Sequence, residues 1–318
     1  MIRVLVRRVI YLFRLLLEEF TWIIRCVKYN NGATDKYVDL YSLMVISHVL
    51  EKGLTMPNRR LGFGQERVRQ VLELCQKCID KYGANSIEVQ STLNDLDEYN
   101  RVHQENQFIL PSDIQDSLEN ILEHRMSNEK INSMCFTPIT FFKECSTFSE
   151  FAFSRHTCRS YSDKPVDIEK IIKCVKVAQT APSACNRQST HVYIISSEKY
   201  KNVVRLFQNG SRGFAEYADK FILLTTDQYA WDIRQEKSGF IDVGIFAMNL
   251  LYAFHEEHIC ACTLNAHLYH KQLKKFYNEI PIRKSEVPVL FMSIGNANEN
   301  FLIARSERKE TKEVYTVL

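Results

Sequence analysis

Apolar residues recur every three to four positions through much of the first 140 residues, which is the spacing of an amphipathic helix. Breakers such as Gly53, Pro57 and Gly83 separate four such stretches, at residues 37–52, 65–82, 86–107 and 112–124. No stretch in this part alternates apolar and polar residues in the way a half-buried strand does. The pattern therefore predicts an all-helical N-terminal region over residues 1–140.

The first thirty residues are strongly apolar, yet they carry six basic and two acidic side chains. A transmembrane helix needs about 20 mostly apolar residues with few charges, and a signal peptide needs an unbroken apolar stretch. An amphipathic helix fits better. We expect residues 1–29 either to dock on the rest of the protein or to make peripheral contact with an anionic membrane surface.

The pattern changes after about residue 139, where short apolar runs with strand character begin to alternate with helical stretches. The predicted strands lie at 191–196, 220–225, 259–264 and 288–294. The predicted helices lie at 167–179, 197–207, 240–255 and 267–277. This alternation is typical of a layered domain of helices and strands. We place the boundary between 130 and 147 and the second domain at 147–318.

Composition narrows the class of protein. With 45% apolar and 25% charged residues, the chain resembles an ordinary soluble globular protein. A net charge of +3 without a clustered basic face gives no indication of nucleic-acid binding. The ten cysteines are scattered, which favours free thiols and a cytoplasmic location. The lone CxxC of Cys75 and Cys78 and the histidines near 255–270 lack the further ligands of a metal site, so we expect none.

Two short segments carry candidate chemistry. In Arg155-His156-Thr157-Cys158-Arg159, two arginines four positions apart with a hydroxyl between them can surround a phosphate, although a solvated basic turn has the same pattern. In the segment at 181–188 (APSACNRQ), small residues let a flat ring approach the backbone. Asn186 can donate and accept hydrogen bonds at once, which suits an imide edge.

Together these segments resemble the FMN-dependent nitroreductase family. The chain contains SRHTCRSYSDKPV and then AQTAPSACNRQ at the family's order and spacing, and it ends with VPVLFMSIGNANEN and a basic ARSER segment. The resemblance covers residues 147–318. It implies an α+β fold, with a nitroreductase-like mixed sheet flanked by helices and preceded by the all-helical N-terminal region.

The resemblance also implies a set of FMN-binding residues. Arg155 and Thr157 match positions at the phosphate and ribityl chain, and Arg159 matches a basic position near the pyrimidine edge of the flavin. The loop at Pro182, Ser183 and Ala184 usually covers the flavin of the partner subunit. The full set comprises Arg155, His156, Thr157, Arg159, Pro182, Ser183, Ala184, Asn186, Gln188, Arg305 and Arg308.

By the same resemblance, we expect a homodimeric oxidoreductase that transfers hydride from NADH or NADPH through FMN to a small acceptor. No side chain need act as a catalytic base, because the cofactor carries the chemistry. The chain departs from the family at residues 259–266, which lack glycine, and at Ser189-Thr190-His191, where Pro-Trp is common after the glutamine.

These departures leave an alternative open. The domain could be a flavin-binding or interaction protein with reduced turnover. A helical extension on such a domain is similar to proteins encoded among bacterial surface-polysaccharide genes, so this alternative would serve such a biosynthetic complex. The N-terminal region would then be a docking or membrane-surface segment, whereas in an enzyme it could form a substrate lid. Gly62 and Gly64, which follow two arginines, could also cradle an anion.

Overall fold

The structure is a computed structural model that describes residues 2–29, 35–126, 133–232, 235–266 and 268–318. These residues form two compact units. The helical unit comprises the described residues of 1–54, 60–132 and 305–318, and the α+β unit comprises 55–59 and 133–304. The predicted boundary lies between 130 and 147, and the prediction kept the whole C-terminal tail with the second domain. In the structure, the tail belongs to the helical unit.

The helical unit contains five helices: α1 (Ile2–Tyr29), α2 (Lys36–Leu54), α3 (Gln65–Tyr82), α4 (Ile87–Glu105) and α5 (Ser112–Leu122). The last four coincide closely with the predicted stretches. Their apolar faces form one core in which Leu43, Val71, Leu93 and Ile114 are fully buried. Helix α1 differs, because most of its described side chains are exposed.

The C-terminal tail packs into the helical unit through polar contacts. The Ser306 backbone N–H and hydroxyl both donate to the Glu51 carboxylate at 2.9 Å. Lys309 lies 2.9 Å from the carboxylate of Glu88. Both carboxylates are largely buried, at 8% and 5% exposure. Because a buried carboxylate needs hydrogen bonds or a counter-ion, the tail completes the polar interior of this unit.

The loop between α2 and α3 does not offer the anion cradle considered from its glycines. Gly62 and Gly64 have left-handed φ angles of 72° and 64°, as glycine permits. The Gly62 N–H, however, donates to Nε2 of His103 at 2.8 Å. Just before it, Met56 packs against the core of the α+β unit, and Asn58 donates to the Tyr217 hydroxyl at 2.9 Å.

The α+β unit has six α-helices, four short 3₁₀ turns and six strands within its described residues. The helices are α6 (Pro138–Phe141), α7 (Phe148–Ser154), α8 (Ile168–Ala178), α9 (Glu198–Phe207), α10 (Glu236–Glu256) and α11 (His270–Glu279), and one of the 3₁₀ turns is Ala184–Asn186. The strands are β1 (Ser133–Phe136), β2 (Thr190–Ile195), β3 (Lys220–Asp227), β4 (Cys260–Asn265), β5 (Glu286–Gly295) and β6 (Phe301–Ala304).

The main sheet has the order β2-β3-β5-β4, and β1 pairs with β6 in a second, two-stranded sheet. This arrangement confirms the α+β fold class. The described strand pairs are all antiparallel, so the mixed pairing that we expected is not found among them. The prediction of an all-helical region to residue 140 is wrong at β1. Four residues are too few to show a periodicity, and their partner β6 lies far along the chain.

Alternating side chains of β3 face two halves of the core. Ile222 and Leu224 pack with α8 and α10, whereas Phe221 and Leu223 face the cluster that contains Phe276 of α11. Within the described residues, Lys237–Glu256 is the one helix long and apolar enough to span a membrane, and half of it is buried. Because α10 packs on α8 and the sheet, we assign it to the core.

Candidate functional site

The Arg155–Arg159 segment runs from the end of α7 alongside β4. Thr147 caps the start of α7 by accepting a hydrogen bond from the Glu150 N–H at 3.2 Å, and Arg155 leaves the helix in an extended conformation. The Cys158 N–H then donates to the carbonyl of Ala261 in β4 at 3.2 Å. The structure thus brings the arginine segment to the strand where the chain lacks the family's glycines.

Tyr161 anchors the other end of this segment in the core. Its hydroxyl lies 2.8 Å from Ser293 Oγ in β5 and 3.1 Å from the Cys158 carbonyl oxygen. Burial raises the pKa of Tyr161 well above its usual range, so the phenol stays neutral. Gly295 makes room for the ring, since a Cβ there would lie 2.7 Å from Tyr161 Cδ1. The backbone that carries Arg159 is therefore fixed at both ends.

Arg159 itself presents an unsatisfied donor. Its Nε is buried and has no hydrogen-bond partner among the residues that the structure describes. The guanidinium carbon lies 5.9 Å from the centroid of the Phe214 ring. Leaving a buried donor unpaired costs about 1–3 kcal/mol, and more for a charged group. Such a donor is suited to a ligand that offers an oxygen acceptor.

His255, at the C-terminal end of α10, was missed as a site residue because the sequence offered it only as a weak metal ligand. The Ser154 hydroxyl lies 2.9 Å from its Nε2. Burial lowers the pKa of His255 to about 4, and the positive charges of Arg155 and His156 add to this effect. A neutral His255 thus borders an electropositive region. The described residues contain no cluster of three side chains suited to a metal ion.

The second predicted segment is a strained loop between α8 and β2. Cys185, Asn186 and Gln188 have φ angles of 53°, 53° and 50°, which is uncommon for residues other than glycine. Three left-handed residues within four positions require strong local support, and such strain clusters at ligand sites. Ser183 provides part of the support, because its Oγ accepts the Gln188 N–H at 3.0 Å.

Asp242 provides the rest of this support and was also missed in the sequence. It lies near the N-terminal end of α10, and both of its carboxylate oxygens are 3.1 Å from the Ala184 N–H. Only 4% of its surface is exposed. The sequence signal for this residue was a single aspartate within an otherwise apolar helical stretch, SGFIDVGIF. A cavity of about 290 Å³ opens beside the loop, bordered by Pro182, Ser183, Gln188, His191 and Asp242 among others.

The predicted residues therefore form two clusters in the α+β unit. Arg155, His156, Thr157 and Arg159 belong to the segment beside β4, and Pro182, Ser183, Ala184, Asn186 and Gln188 belong to the loop before β2. These two strands are opposite edges of the main sheet. Arg305 and Arg308 lie outside this unit, in the tail assigned to the helical unit, where Arg308 contacts the Ser306 carbonyl.

The two clusters are also attached to opposite ends of α10. Asp242 supports the loop and His255 contacts Ser154, and thirteen residues of helix separate them. At 1.5 Å per residue, this separation is about 20 Å. Within one chain, the arginine segment and the loop thus lie far apart.

Solved structures of similar fold were compared with the chain. A nitroreductase family protein from Streptococcus pneumoniae is 20% identical, with 54% of this chain and 100% of that chain covered and a TM-score of 0.46. A nitroreductase family protein from Clostridium difficile is 20% identical, with 54% and 97% covered and a TM-score of 0.44. An FMN-dependent nitroreductase from the same species is 21% identical, with 50% and 88% covered and a TM-score of 0.40.

Part of the chain matches a known family at the level of sequence. A search of curated proteins finds no match to the chain. The sequence model of the nitroreductase family matches residues 152–296. That span contains the arginine segment, the strained loop, α10 and the main sheet. Residues 152–296 of this chain are a domain of the nitroreductase family.

Proposed function

We propose that the α+β unit binds FMN and works as an oxidoreductase that uses NADH or NADPH to reduce a small-molecule acceptor. Residues 152–296 match the sequence model of the nitroreductase family, and the resemblance described above implies flavin-dependent oxidoreductases. The observation that carries the proposal is the buried, unpaired Nε of Arg159, in a segment fixed by β4 and Tyr161. A rigid cationic donor of this kind is preorganised for an oxygen acceptor.

The residues of the arginine segment have distinct roles in this proposal. Arg155 and Thr157 would hold the phosphate and ribityl chain, and Arg159 would donate to the pyrimidine edge of the ring. Neutral His255 orients Ser154, immediately before Arg155, through the 2.9 Å contact. When bound, FMN supplies the redox chemistry by accepting hydride from NAD(P)H and passing electrons to the acceptor.

The separation of the two clusters supports a homodimer as part of the same proposal. If α10 of one protomer packs antiparallel to α10 of its partner, the loop of one chain approaches the arginine segment of the other. The outer face of α10 is apolar enough for this contact, because Phe240, Ile241 and Ile245 are 45%, 61% and 40% exposed. Each flavin would then lie between two protomers.

The proposal is tested with the purified full chain and the substitution Arg159→Met. Titration with FMN, followed by quenching of flavin fluorescence, should show saturable binding to the native protein. We expect at least a tenfold weaker affinity in Arg159→Met, since a charged hydrogen bond contributes about 1.5–3 kcal/mol. Arg67→Met, which removes an exposed arginine of the helical unit, is the matched control and should bind FMN normally.

A turnover measurement distinguishes an oxidoreductase from the alternative, a flavin-binding or interaction protein with reduced turnover. Steady oxidation of NADH or NADPH with a quinone or nitroaromatic acceptor would support the oxidoreductase. Tight FMN binding without turnover would instead favour a flavin-binding protein with reduced activity, as the absence of glycine from residues 259–266 suggests. If the native chain fails to bind FMN at all, the proposal is wrong.

A further inference from the structure

Helix α1 has two chemically distinct faces. At 100° per residue, Val9, Phe13, Leu16, Phe20, Ile24 and Val27 fall on one side of this 28-residue helix. Positions 7, 14, 18, 21, 25 and 28 fall on the other side and hold arginine, arginine, glutamate, threonine, arginine and lysine. Such segregation over about five turns is the pattern of a helix between an apolar and an aqueous phase.

The apolar face of α1 is exposed among the residues that the structure describes. Phe13, Leu16 and Phe20 are 62%, 68% and 57% exposed. The row from Val9 to Val27, about 27 Å long at 1.5 Å per residue, is larger than the apolar patches that soluble proteins usually expose. The face is therefore suited to burial against something outside the chain.

Charge distinguishes between two partners that could cover this apolar face, a second copy of α1 and an anionic surface. Helix α1 carries six basic and two acidic residues, a net charge of +4, whereas the whole chain carries +3. The remainder of the chain thus has a net charge of −1, and the positive charge is concentrated in α1. A second copy of α1 would bring the same charge of +4 and be repelled. An anionic surface would attract it.

The width of the apolar face also favours an anionic surface over a second copy of α1. Leu12 and Leu17 lie at its two borders, about 140° apart on the helix, and are 54% and 47% exposed. A two-stranded coiled coil buries a narrower seam of two positions in seven. A broad face with Lys28 close to one border instead suits lipid, because a lysine can extend towards phosphate headgroups while its stem stays among apolar groups.

Exposed tyrosines lie near the C-terminal end of α1. A groove of about 840 Å³ lies there, and Lys28, Tyr29, Tyr37 and Tyr41 are among its lining residues. The three tyrosines are 64%, 64% and 56% exposed. Tyrosine rings prefer the headgroup level of a bilayer, where an apolar body and a polar tip are both satisfied.

From these observations, we propose that α1 binds the surface of a bilayer rich in anionic phospholipids. The helix lies parallel to the surface with Phe13, Leu16 and Phe20 among the acyl chains and Arg14, Arg25 and Lys28 at the phosphates. The chain is thereby held at a membrane without spanning it. This role goes beyond the proposed oxidoreductase activity and does not depend on FMN binding.

The test is co-sedimentation of the full chain with vesicles of phosphatidylcholine, with and without phosphatidylglycerol. We expect binding to the anionic vesicles that weakens at high salt, and little binding to the neutral ones. Arg14→Glu/Arg25→Glu should reduce binding at least tenfold. Phe13→Ser/Phe20→Ser should do the same without changing the net charge. Both pairs are solvent-exposed in the structure, so a thermal melt should show an unchanged fold.

A matched control tests whether vesicle binding depends on where the positive charge lies or only on the net charge of the chain. Lys199→Glu/Lys271→Glu makes the same change in net charge at exposed lysines of the α+β unit and should bind vesicles like the native chain. Equal loss in this control would mean a general electrostatic effect and would overturn the proposal. Absence of binding to anionic vesicles would also overturn it, as would self-association that Phe13→Ser/Phe20→Ser abolishes, because the face would then belong to a second copy.

Discussion

His255 links the pH dependence of stability to the candidate site. Its ring contacts Phe141 and Phe151, with centroids 5.4 and 5.2 Å away, and its Nε2 faces Ser154 Oγ. Burial, with the nearby positive charges, lowers its pKa to about 4. In the unfolded chain the same imidazole has an ordinary pKa near 6.5. Between these values the unfolded state binds a proton that the native state does not.

We predict that His255 makes the α+β unit less stable as the pH falls from about 6.5 towards 4. Above pH 6.5 the residue is neutral in both the folded and the unfolded state, so its contribution to stability is fully present there. The loss should reach about 2 kcal/mol near pH 4.5. Urea unfolding at about pH 7 and pH 4.5, followed by the fluorescence of Trp231 in a Trp22→Phe background, measures it.

The substitution His255→Gln should flatten this pH dependence while keeping a donor near Ser154 Oγ. His124→Gln, at an exposed histidine of the helical unit, should leave the dependence unchanged. An equally steep loss of stability in His255→Gln would show that other groups cause it.

Residue types reveal chemistry in the sequence, whereas their environment appears only in the folded chain. The spacing of Arg155 and Arg159 was compatible with an oxygen-binding pair, since a guanidinium is cationic wherever it lies, but a solvated basic turn has the same pattern. The buried Nε of Arg159, in contrast, depends on contacts with distant residues such as Phe214. His255 and Asp242 went unrecognised for the same reason, because Phe141 and Ala184 come from other parts of the chain. The roles proposed for the FMN-binding residues stay predictions.

Helix α10 is the element that relates the two halves of the candidate site. It supports the strained loop through Asp242 at one end and contacts Ser154 through His255 at the other. A rigid helix of this length keeps the two clusters apart within a chain and, in an antiparallel pair, brings them together between chains. The proposed dimer can therefore be tested by complementation.

We predict that Arg159→Met and Asp242→Ala each weaken FMN binding when expressed alone, the second because the Ala184 N–H loses its acceptor. In a mixed dimer of the two variants, one of the two interfaces combines an intact Arg159 with an intact loop. Co-expression with two affinity tags isolates that dimer, and flavin absorbance should show about one FMN for every two chains.

A mixed dimer that binds no FMN would place each site within a single chain. A dimer of two Arg159→Met chains purified through the same tags is the control, and it should bind weakly. Sedimentation velocity on each sample shows whether the dimer itself has formed.

The success of the element predictions depends on how local their signals are. Helix α3 was predicted at its observed bounds, because Gly64 and Gly83 limit a regular amphipathic stretch. The four strands of the main sheet were found within a few residues, since each is a compact apolar run. Strands β1 and β6 were missed, because each is stabilised mainly by the other, and pairing at such separation leaves no local periodicity.

At the scale of the whole molecule, neither unit is one continuous stretch of chain. Residues 55–59 belong to the α+β unit although helices of the other unit precede and follow them, and residues 305–318 return to the helical unit. The tail brings partners to the carboxylates of Glu51 and Glu88. Composition could not reveal that the tail joins the helical unit, because a basic tail is equally suited to a phosphate and to a buried carboxylate.

Truncation after Ala304 should therefore destabilise the helical unit by roughly 2–4 kcal/mol, because two buried carboxylates lose the hydrogen bonds and the lysine that the tail supplies. Hydrogen exchange followed by mass spectrometry should show faster exchange in α2 and α4, with β3 and β5 much less affected. Truncation after Val314 removes only Tyr315 and the residues that follow it, which are all exposed, and should leave both regions unchanged. Equal exchange in α2 and α4 after the longer truncation would contradict this assignment of the tail.

The return of the tail also determines the order in which the protein can mature on the ribosome. Domains usually fold as they are synthesised, with the N-terminal domain first. Here the helices of the first unit emerge early, but Ser306 and Lys309 leave the ribosome only after the entire α+β unit has been made. Until then Glu51 and Glu88 remain without these partners. The part of the protein that is translated first is thus the last to reach its final stability.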